Sequence, residues 1–396
     1  MRTKVFYDLP ETACYGCQAC AQICPVSAIS MVPDEEGFLF PQIDTDKCIE
    51  CNLCEKTCPT QESVAKPLFN AIPTNVDAAW EKDFDARLES TSGGAFYIFG
   101  KKWIEDGGVV YGADFDDKLH VRHCKAVTIE ELQRQRGSKY VQSDLSGILK
   151  AVRTDLKAGI KVLFSGTPCQ VAGLRAFLKK DYPNLICIDL VCHGVPSPLI
   201  FLEHLKYVEK TSGKQIVDYK FRGKERSGWR AYIKYIFKAK TVEKRFLGND
   251  FYAYSFYRSR FNRRSCFSCG FSHAKRVGDI TLSDFWNAER YSKELRKQRK
   301  YGFNMIMCNT EKGRNLYNET ISKFGRIELP LQIAVDGDVR LRHAEKAPLD
   351  RDSIFQEYHT HGYEWLVNNR GPKNSIASRL TPTWVKNLIY EIKSRI

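Results

Sequence analysis

Eight of the fifteen cysteines in this 396-residue chain fall within its first sixty residues, in two copies of one spacing. Cys14, Cys17, Cys20 and Cys24 precede Pro25, and Cys48, Cys51, Cys54 and Cys58 precede Pro59. Three thiols at steps of three residues can turn onto one side of a tight loop, while the fourth points away from them. That is the chemistry of paired [4Fe-4S] clusters in which each fourth cysteine serves the other cube. The spacing assigns Cys14, Cys17, Cys20 and Cys58 to one cluster and Cys48, Cys51, Cys54 and Cys24 to the second. Each following proline lacks an N–H and turns the chain away from the site. Zinc sites usually pair two C-x2-C halves across a longer gap, and disulfides need an oxidising compartment for which nothing here argues.

Seven cysteines remain. Cys169 follows Gly166-Thr167-Pro168 at the end of an apolar strand, where Thr167 caps a helix and Pro168 suits its first position. The positive end of that helix favours a thiolate. Cys192 holds a similar post in Leu190-Val191-Cys192-His193-Gly194, and Cys266-Phe267-Ser268-Cys269 forms a loop beside Arg263 and Arg264. These four could converge on a third [4Fe-4S] cluster. A zinc site from Cys266, Cys269 and His273, or a lone reactive Cys169, stays open on spacing alone. Cys187 reads as core, and Cys124 and Cys308 as structural.

The elements that must position these groups follow from hydrophobic patterning. Residues 31–41 read as the hairpin between the halves of a ferredoxin repeat, and residues 63–87 as a linker. Short strands are expected at 109–112, 119–123, 160–164 and 185–191, with helices at 145–156 (capped by Ser143-Asp144), 168–179 and 198–210. Strand, helix, strand over about thirty residues implies a right-handed crossover and a partly parallel sheet. Residues 215–240 read as two strands. The expected plan is an α+β ferredoxin module (1–62), a linker (63–87), an α/β body with a partly parallel mixed sheet (88–330) and a C-terminal helical extension (331–396). Trp384, Val385, Leu388, Ile389, Ile392 and Ile396 pattern a final amphipathic helix.

Composition bounds the rest. Hydrophobic content of 43% fits a globular chain, no apolar run is long enough to cross a membrane, and the N-terminus lacks the pattern of a signal peptide. Cysteine richness without an export signal implies a reducing cytoplasm. The net charge is +14, yet residues 1–60 hold nine acids against four bases. An acidic front on a basic body suits an anionic substrate or cofactor and a redox partner protein. The basic, aromatic stretch from Phe251 to Arg264 also admits nucleic-acid binding, but no nucleic-acid motif accompanies it and none is expected.

Several segments in order resemble the family formed by the beta subunits of coenzyme F420 hydrogenases and dehydrogenases. They are Thr91-Ser92-Gly93-Gly94, Gly166-Thr167-Pro168-Cys169-Gln170, Asp189 to Gly194, Phe221-Arg222-Gly223-Lys224, Cys266 to Cys269, and Gly278 to Trp286. The resemblance implies a flavin-binding body holding FAD and its own [4Fe-4S] cluster on Cys169, Cys192, Cys266 and Cys269. The FAD would lie near Gly166, Thr167, Pro168 and His193. Ser92-Gly93-Gly94 would cradle its pyrophosphate at a helix entry, and Ser138, Lys139 and Tyr140 would add a cation and an aromatic face. His193, Lys224 and Asp284 are the candidate catalytic residues. One departure is Asn287, where the family usually has glycine, with Ser283 before Asp284. The expected activity is oxidoreduction between iron–sulfur clusters and a hydride-accepting molecule through FAD, with coenzyme F420 as a candidate. Alternatives are a ferredoxin-linked reductase of another small molecule and an electron-transfer component of a larger complex.

Overall fold

The structure, a computed structural model, describes residues 13–225, 228–229 and 232–372. The expected final helix at 384–396 lies outside the described residues. The front module carries a short helix, Ala19–Ile23, and an antiparallel hairpin of β1 (Ile29–Pro33) and β2 (Leu39–Ile43). Its two cysteine loops repeat one backbone path. Gly16 and Glu50 stand at φ 67° and 53°, and Gln18 and Asn52 at 62° and 59°, each pair at equivalent places in its loop. Left-handed conformations at Gln18, Glu50 and Asn52 cost energy that a functional loop retains.

The body is built on an eight-stranded sheet. Its strands are β3 (Asn75–Glu81), β4 (Val109–Phe115), β5 (Val121–Ala126), β6 (Val162–Gly166) and β7 (Leu185–Leu190). A smaller antiparallel sheet follows, with β8 (Ile216–Lys220), β11 (Tyr232–Phe237) and β12 (Val242–Phe246); β9 (Lys224–Glu225) and β10 (Gly228–Trp229) pair beside it. The chain then returns to the large sheet as β13 (Ile280–Asp284), β14 (Asn304–Cys308) and β15 (Phe324–Pro330). The order is β15-β3-β14-β13-β7-β6-β4-β5. The inner four, β13, β7, β6 and β4, run parallel, and the flanking strands pair antiparallel. This is the mixed, partly parallel sheet the sequence implies.

Period-two alternation gives each inner strand two apolar faces. Leu163, Ile186, Ile188 and Ile280 pack with Ile98, Phe99, Leu132 and Leu316 on one side. Val162, Phe164 and Cys187 pack with Leu149, Val152, Leu174 and Phe177 on the other. Two local expectations change. β3 lies inside the stretch read as a linker, because Ala78 and Ala79 are small, carry little periodic signal, and are buried between β14 and β15. Ser143-Asp144 does not cap the next helix, which starts at Ile148 after Gly147 (φ 77°). Ser143 instead meets His123 Nδ1 at 2.7 Å, and Asp144 accepts from Gln18 Nε2 of the front module at 2.6 Å.

The helices Arg351–His361 and Tyr363–Arg370 cover the small sheet through Ile354, Phe355, Tyr363 and Leu366. Phe251 and Tyr252 are buried in the same core, and Phe256 is also buried. Those aromatics therefore serve packing, not a nucleic-acid face. No helix among the described residues is long and apolar enough to cross a membrane.

Candidate iron–sulfur and cofactor site

The tight loops bring the eight front cysteines around two cavities, and the partition is crossed as the spacing requires. Cys24 lines one cavity with Cys48, Cys51 and Cys54. Cys58 lines the other with Cys14, Cys17 and Cys20. Backbone N–H groups point at sulfurs: Ala28 N lies 3.2 Å from Cys24 Sγ and Gly16 N 3.4 Å from Cys14 Sγ. Thr60 Oγ1 lies 3.0 Å from Cys58 Sγ. Such contacts suit an anionic iron–sulfur cube. We call Cys24, Cys48, Cys51 and Cys54 the outer set, where Cys51 is exposed, and the other four the middle set.

The third set is assembled by tertiary structure. Cys169 sits in the first turn of the helix Pro168–Leu178, whose start is fixed by Pro168 and by Thr167 N donating to Gln170 Oε1 at 3.0 Å. Cys192 follows β7, which parallels β6. Cys266 and Cys269 come from the short helical loop Arg264–Ser268. The four sulfurs lie close together: beyond desolvation, Cys266 is raised by Cys192, Cys269 and Cys169, Cys169 by Cys269 and Cys192, and Cys192 by Cys269. Gly194, at φ 104°, lets this loop approach: a Cβ there would come within 3.3 Å of Cys266 Cβ and 2.4 Å of Asn262 Nδ2.

Desolvation pushes the Cys169 thiol up to about 12 and Cys192 up to about 11. The expected thiolate at the helix start is therefore not formed by the helix dipole, because desolvation outweighs it. A metal bound by these thiols would have to displace their protons. Among the described residues no three His, Cys, Asp or Glu groups meet at a point that would hold a single metal ion. His273 packs on the Phe69 ring at 4.5 Å.

The three sets stand in file. In the middle set, Cys20 feels the charge of Cys54 in the outer set. Cys17, also of the middle set, rests on the helix that carries Cys169, where a Cβ at Gly173 would come within 2.8 Å of Cys17 Cβ and 2.9 Å of its Sγ. Tyr15, between the middle-set cysteines Cys14 and Cys17, reaches the inner set and accepts from Gly270 N at 3.2 Å. Its phenol is held above its ordinary range, first by desolvation and then by Cys269, Cys169 and Cys266.

A second group gathers five separate sequence segments. Arg222 Nη1 binds Asp284 Oδ2 at 2.6 Å and Tyr140 Oη at 3.3 Å. Tyr140 stacks on Phe256 at 4.2 Å. Ser138 N donates to Thr91 Oγ1 at 3.0 Å, and Lys139 Nζ donates to the carbonyl of Arg134 at 2.8 Å. Desolvation lowers Lys139 to about 8. Asp284 Oδ1 is buried without a hydrogen-bond partner among the described residues, so a polar ligand atom would satisfy it. Gly137 is open, its would-be Cβ meeting only Thr91 Oγ1 at 3.5 Å.

Other expected site residues are placed differently. The glycines of Ser92-Gly93-Gly94 are filled by protein: a Cβ at Gly93 would lie 2.4 Å from the Ala79 carbonyl, and one at Gly94 2.6 Å from Glu81 Oε2. Asn304 Oδ1 caps the helix by accepting from Ala95 N at 3.1 Å. These glycines serve close packing rather than an open phosphate cradle. Lys224 Nζ donates to the carbonyls of Ser92 and Arg87, and desolvation pushes it down to about 6. Both nitrogens of His193 are occupied, Nδ1 by Arg340 Nη1 at 2.9 Å and Nε2 by Ser259 Oγ at 3.1 Å. His193 therefore positions the chain after Cys192 and has no free nitrogen for a substrate. Gly166 packs at the strand end, with a would-be Cβ 3.1 Å from Gln170 Oε1. Asn287 stands at φ 66°, a conformation asparagine tolerates better than most residues, so its replacement of glycine keeps the turn.

Sequence reasoning missed Tyr15, Arg263 and Asp189 as organisers. Asp189, fully buried, accepts from Thr281 Oγ1 at 2.6 Å, Gly278 N at 3.0 Å and Val277 N at 3.1 Å, and pairs with buried Arg276 at 3.3 Å. An aspartate within an apolar strand was the available signal.

Crossed cysteine sets with N–H groups on their sulfurs define an iron–sulfur protein of the [4Fe-4S] type. Residues 13–61 match the family "4Fe-4S dicluster domain", and residues 159–330 match the family formed by the C-terminal part of the coenzyme F420 hydrogenase/dehydrogenase beta subunit. The chain thus joins a stretch that matches a [4Fe-4S] dicluster domain to a body that matches the C-terminal part of the coenzyme F420 hydrogenase/dehydrogenase beta subunit. It is 27% identical over 200 residues to the coenzyme F420-dependent sulfite reductase of Methanocaldococcus jannaschii, covering 48% of this chain and 29% of that protein. With an F(420)H(2) dehydrogenase subunit of Methanosarcina mazei it shares 21% identity over 223 residues, 52% of this chain and 62% of that one. A polyferredoxin-like protein of M. jannaschii is 37% identical over 64 residues, 14% of this chain and 38% of that protein. The chain therefore spans less than two thirds of each of these relatives. A chain of the F420-reducing [NiFe] hydrogenase complex from Methanosarcina barkeri superposes with a TM-score of 0.44 at 15% identity, over 77% of this chain and 94% of that one.

Proposed function

We propose that this chain is an iron–sulfur flavoprotein oxidoreductase, exchanging electrons between [4Fe-4S] clusters and a hydride-accepting small molecule. The observation that carries the reading is the file of three four-cysteine sets, running from exposed Cys51 inward past Tyr15. The outer and middle sets would each hold one cluster and Cys169, Cys192, Cys266 and Cys269 a third. Bound FAD would supply exchange between one-electron and two-electron transfer, which cubes alone do not perform.

The residues suited to FAD are Thr91, Ser138, Lys139 and Tyr140 with Arg222. They offer an aromatic face, two cations and an open loop, and the unpartnered Asp284 Oδ1 supplies an acceptor. Lys224 braces this loop through the Ser92 and Arg87 carbonyls. Coenzyme F420 is the favoured hydride carrier, since two relatives are named for it. At the other end, exposed Cys51 beside Ile49, 60% exposed, within an acidic module, suits contact with a redox partner protein.

Anaerobic purification with iron, sulfide, zinc and flavin measured per chain tests the reading. About twelve irons with one FAD are expected. About eight irons with one zinc overturn the inner cluster, and a chain purified without flavin that neither binds added FAD nor accepts electrons from reduced F420 overturns the flavoprotein.

A further inference from the structure

Arg263 is among the largest fully buried side chains, 1% exposed, and every group that binds it is neutral. Its Nε donates to the carbonyl of Cys14 at 2.6 Å, Nη1 to Gln142 Oε1 at 3.1 Å and Nη2 to the Leu39 carbonyl at 3.0 Å. The guanidinium lies over Phe40 at 4.0 Å. Asp34 feels its charge, but among the described residues Arg263 forms no ion pair, in contrast to buried Arg276, which has Asp189. A buried, unpaired guanidinium is costly unless an anion compensates it.

The compensating anions are identified by where the side chain lies. A Cβ at Gly16, two residues from Cys14, would lie 3.0 Å from Arg263 Nη1 and 3.3 Å from Cζ. The same charge acts on Cys169 of the inner set. Arg263 itself stands three residues before Cys266. It is thus wedged between the middle and inner sets, and none of its hydrogen bonds reaches a cysteine of the outer set. A cube with four thiolates is a net anion and gains one more negative charge on reduction, and potential follows net charge and local electrostatics.

We propose that Arg263 is the shared counter-ion of the middle and inner sites, raising the reduction potential of both and leaving the outer site unaffected. This rests on the reading that the cysteine sets hold clusters. It acts as a positioning residue too, since its three hydrogen bonds pin the front module to the body. Removing the charge makes reduction of both sites less favourable by about tenfold, a fall of about 59 mV for a one-electron couple.

The test is an EPR-monitored redox titration of the anaerobic full chain, with iron and sulfide counted in each sample. Arg263→Gln removes the charge. Gln142→Glu leaves the arginine in place and sets a carboxylate against Nη1. Arg263→Lys keeps the charge but not the fork. The expected result is a fall in two of three potentials in Arg263→Gln and Gln142→Glu, with Arg263→Lys near the wild-type values. Unchanged potentials in fully loaded Arg263→Gln overturn the inference, as do equal shifts in all three. If Arg263→Gln loses iron, unshifted potentials in loaded Gln142→Glu overturn it alone. A wild-type chain holding only eight irons refutes the inner cluster separately, and the middle site then still reports on Arg263.

Discussion

Gly173 lies inside the helix Pro168–Leu178, and two effects of Gly173→Ala oppose each other there. Alanine in a helix interior is favoured over glycine by about 1 kcal/mol. A Cβ at this position, however, would stand 2.8 Å from Cys17 Cβ and 2.9 Å from Cys17 Sγ. Neither atom is the far end of a flexible side chain, and Cys17 is only 8% exposed. Overpacking of this kind costs about 1–3 kcal/mol. The net is a destabilisation of roughly 0–2 kcal/mol, less than the clash alone because helix propensity offsets part of it. The larger consequence is chemical. The Cys17 sulfur is displaced from the middle set, so the variant is expected to lose up to four irons per chain, about a third of the full load. Anaerobic iron analysis and urea unfolding, run in parallel, measure both effects. A fully loaded variant about 1 kcal/mol more stable than wild type refutes the packing argument.

Three further outcomes are expected. Cys58→Ser should alter the EPR signal of the middle cluster and Cys24→Ser that of the outer one, although each cysteine belongs by sequence to the opposite motif; the reverse pattern would show uncrossed ligation. Asp189→Ala strands buried Arg276 and releases the Val277 and Gly278 amides, costing about 3–5 kcal/mol in chemical denaturation; a cost under about 1 kcal/mol contradicts this role. Glu81, whose Oε2 is buried without a hydrogen-bond partner among the described residues, is pushed up from 4.5 to about 7 by desolvation. Between those values the folded state holds more protons than the unfolded, so its contribution to stability falls as pH rises through that window. Glu81→Gln should flatten that part of the stability profile, and an unchanged slope between about pH 5.5 and about pH 7 would rule out the assignment.

Locally encoded features could be read from residue types and spacing alone. Cysteine steps of three, with proline after each fourth, reported a loop geometry that recurs in the repeated left-handed positions Gly16 and Glu50, Gln18 and Asn52. Alternating apolar strands around a helix with Pro168 at its start reported the parallel core. Relations between distant segments emerge in the folded chain. Cys169, Cys192, Cys266 and Cys269 come together because β6 and β7 run parallel and Gly194 admits the loop beside them. Strand β3 hid in an apparent linker because its alternation of Asn75, Asp77 and Glu81 with Val76 and Trp80 is short and interrupted by the two small alanines, Ala78 and Ala79, whose burial between β14 and β15 only the fold shows. The glycines at 93 and 94 looked like a phosphate cradle, and the helix start at Cys169 looked like a thiolate site. Neighbouring strands fill the first, and desolvation overrides the second. Sequence spacing reports which groups can share a loop; it does not report which solvent or backbone the fold will remove or bring against them.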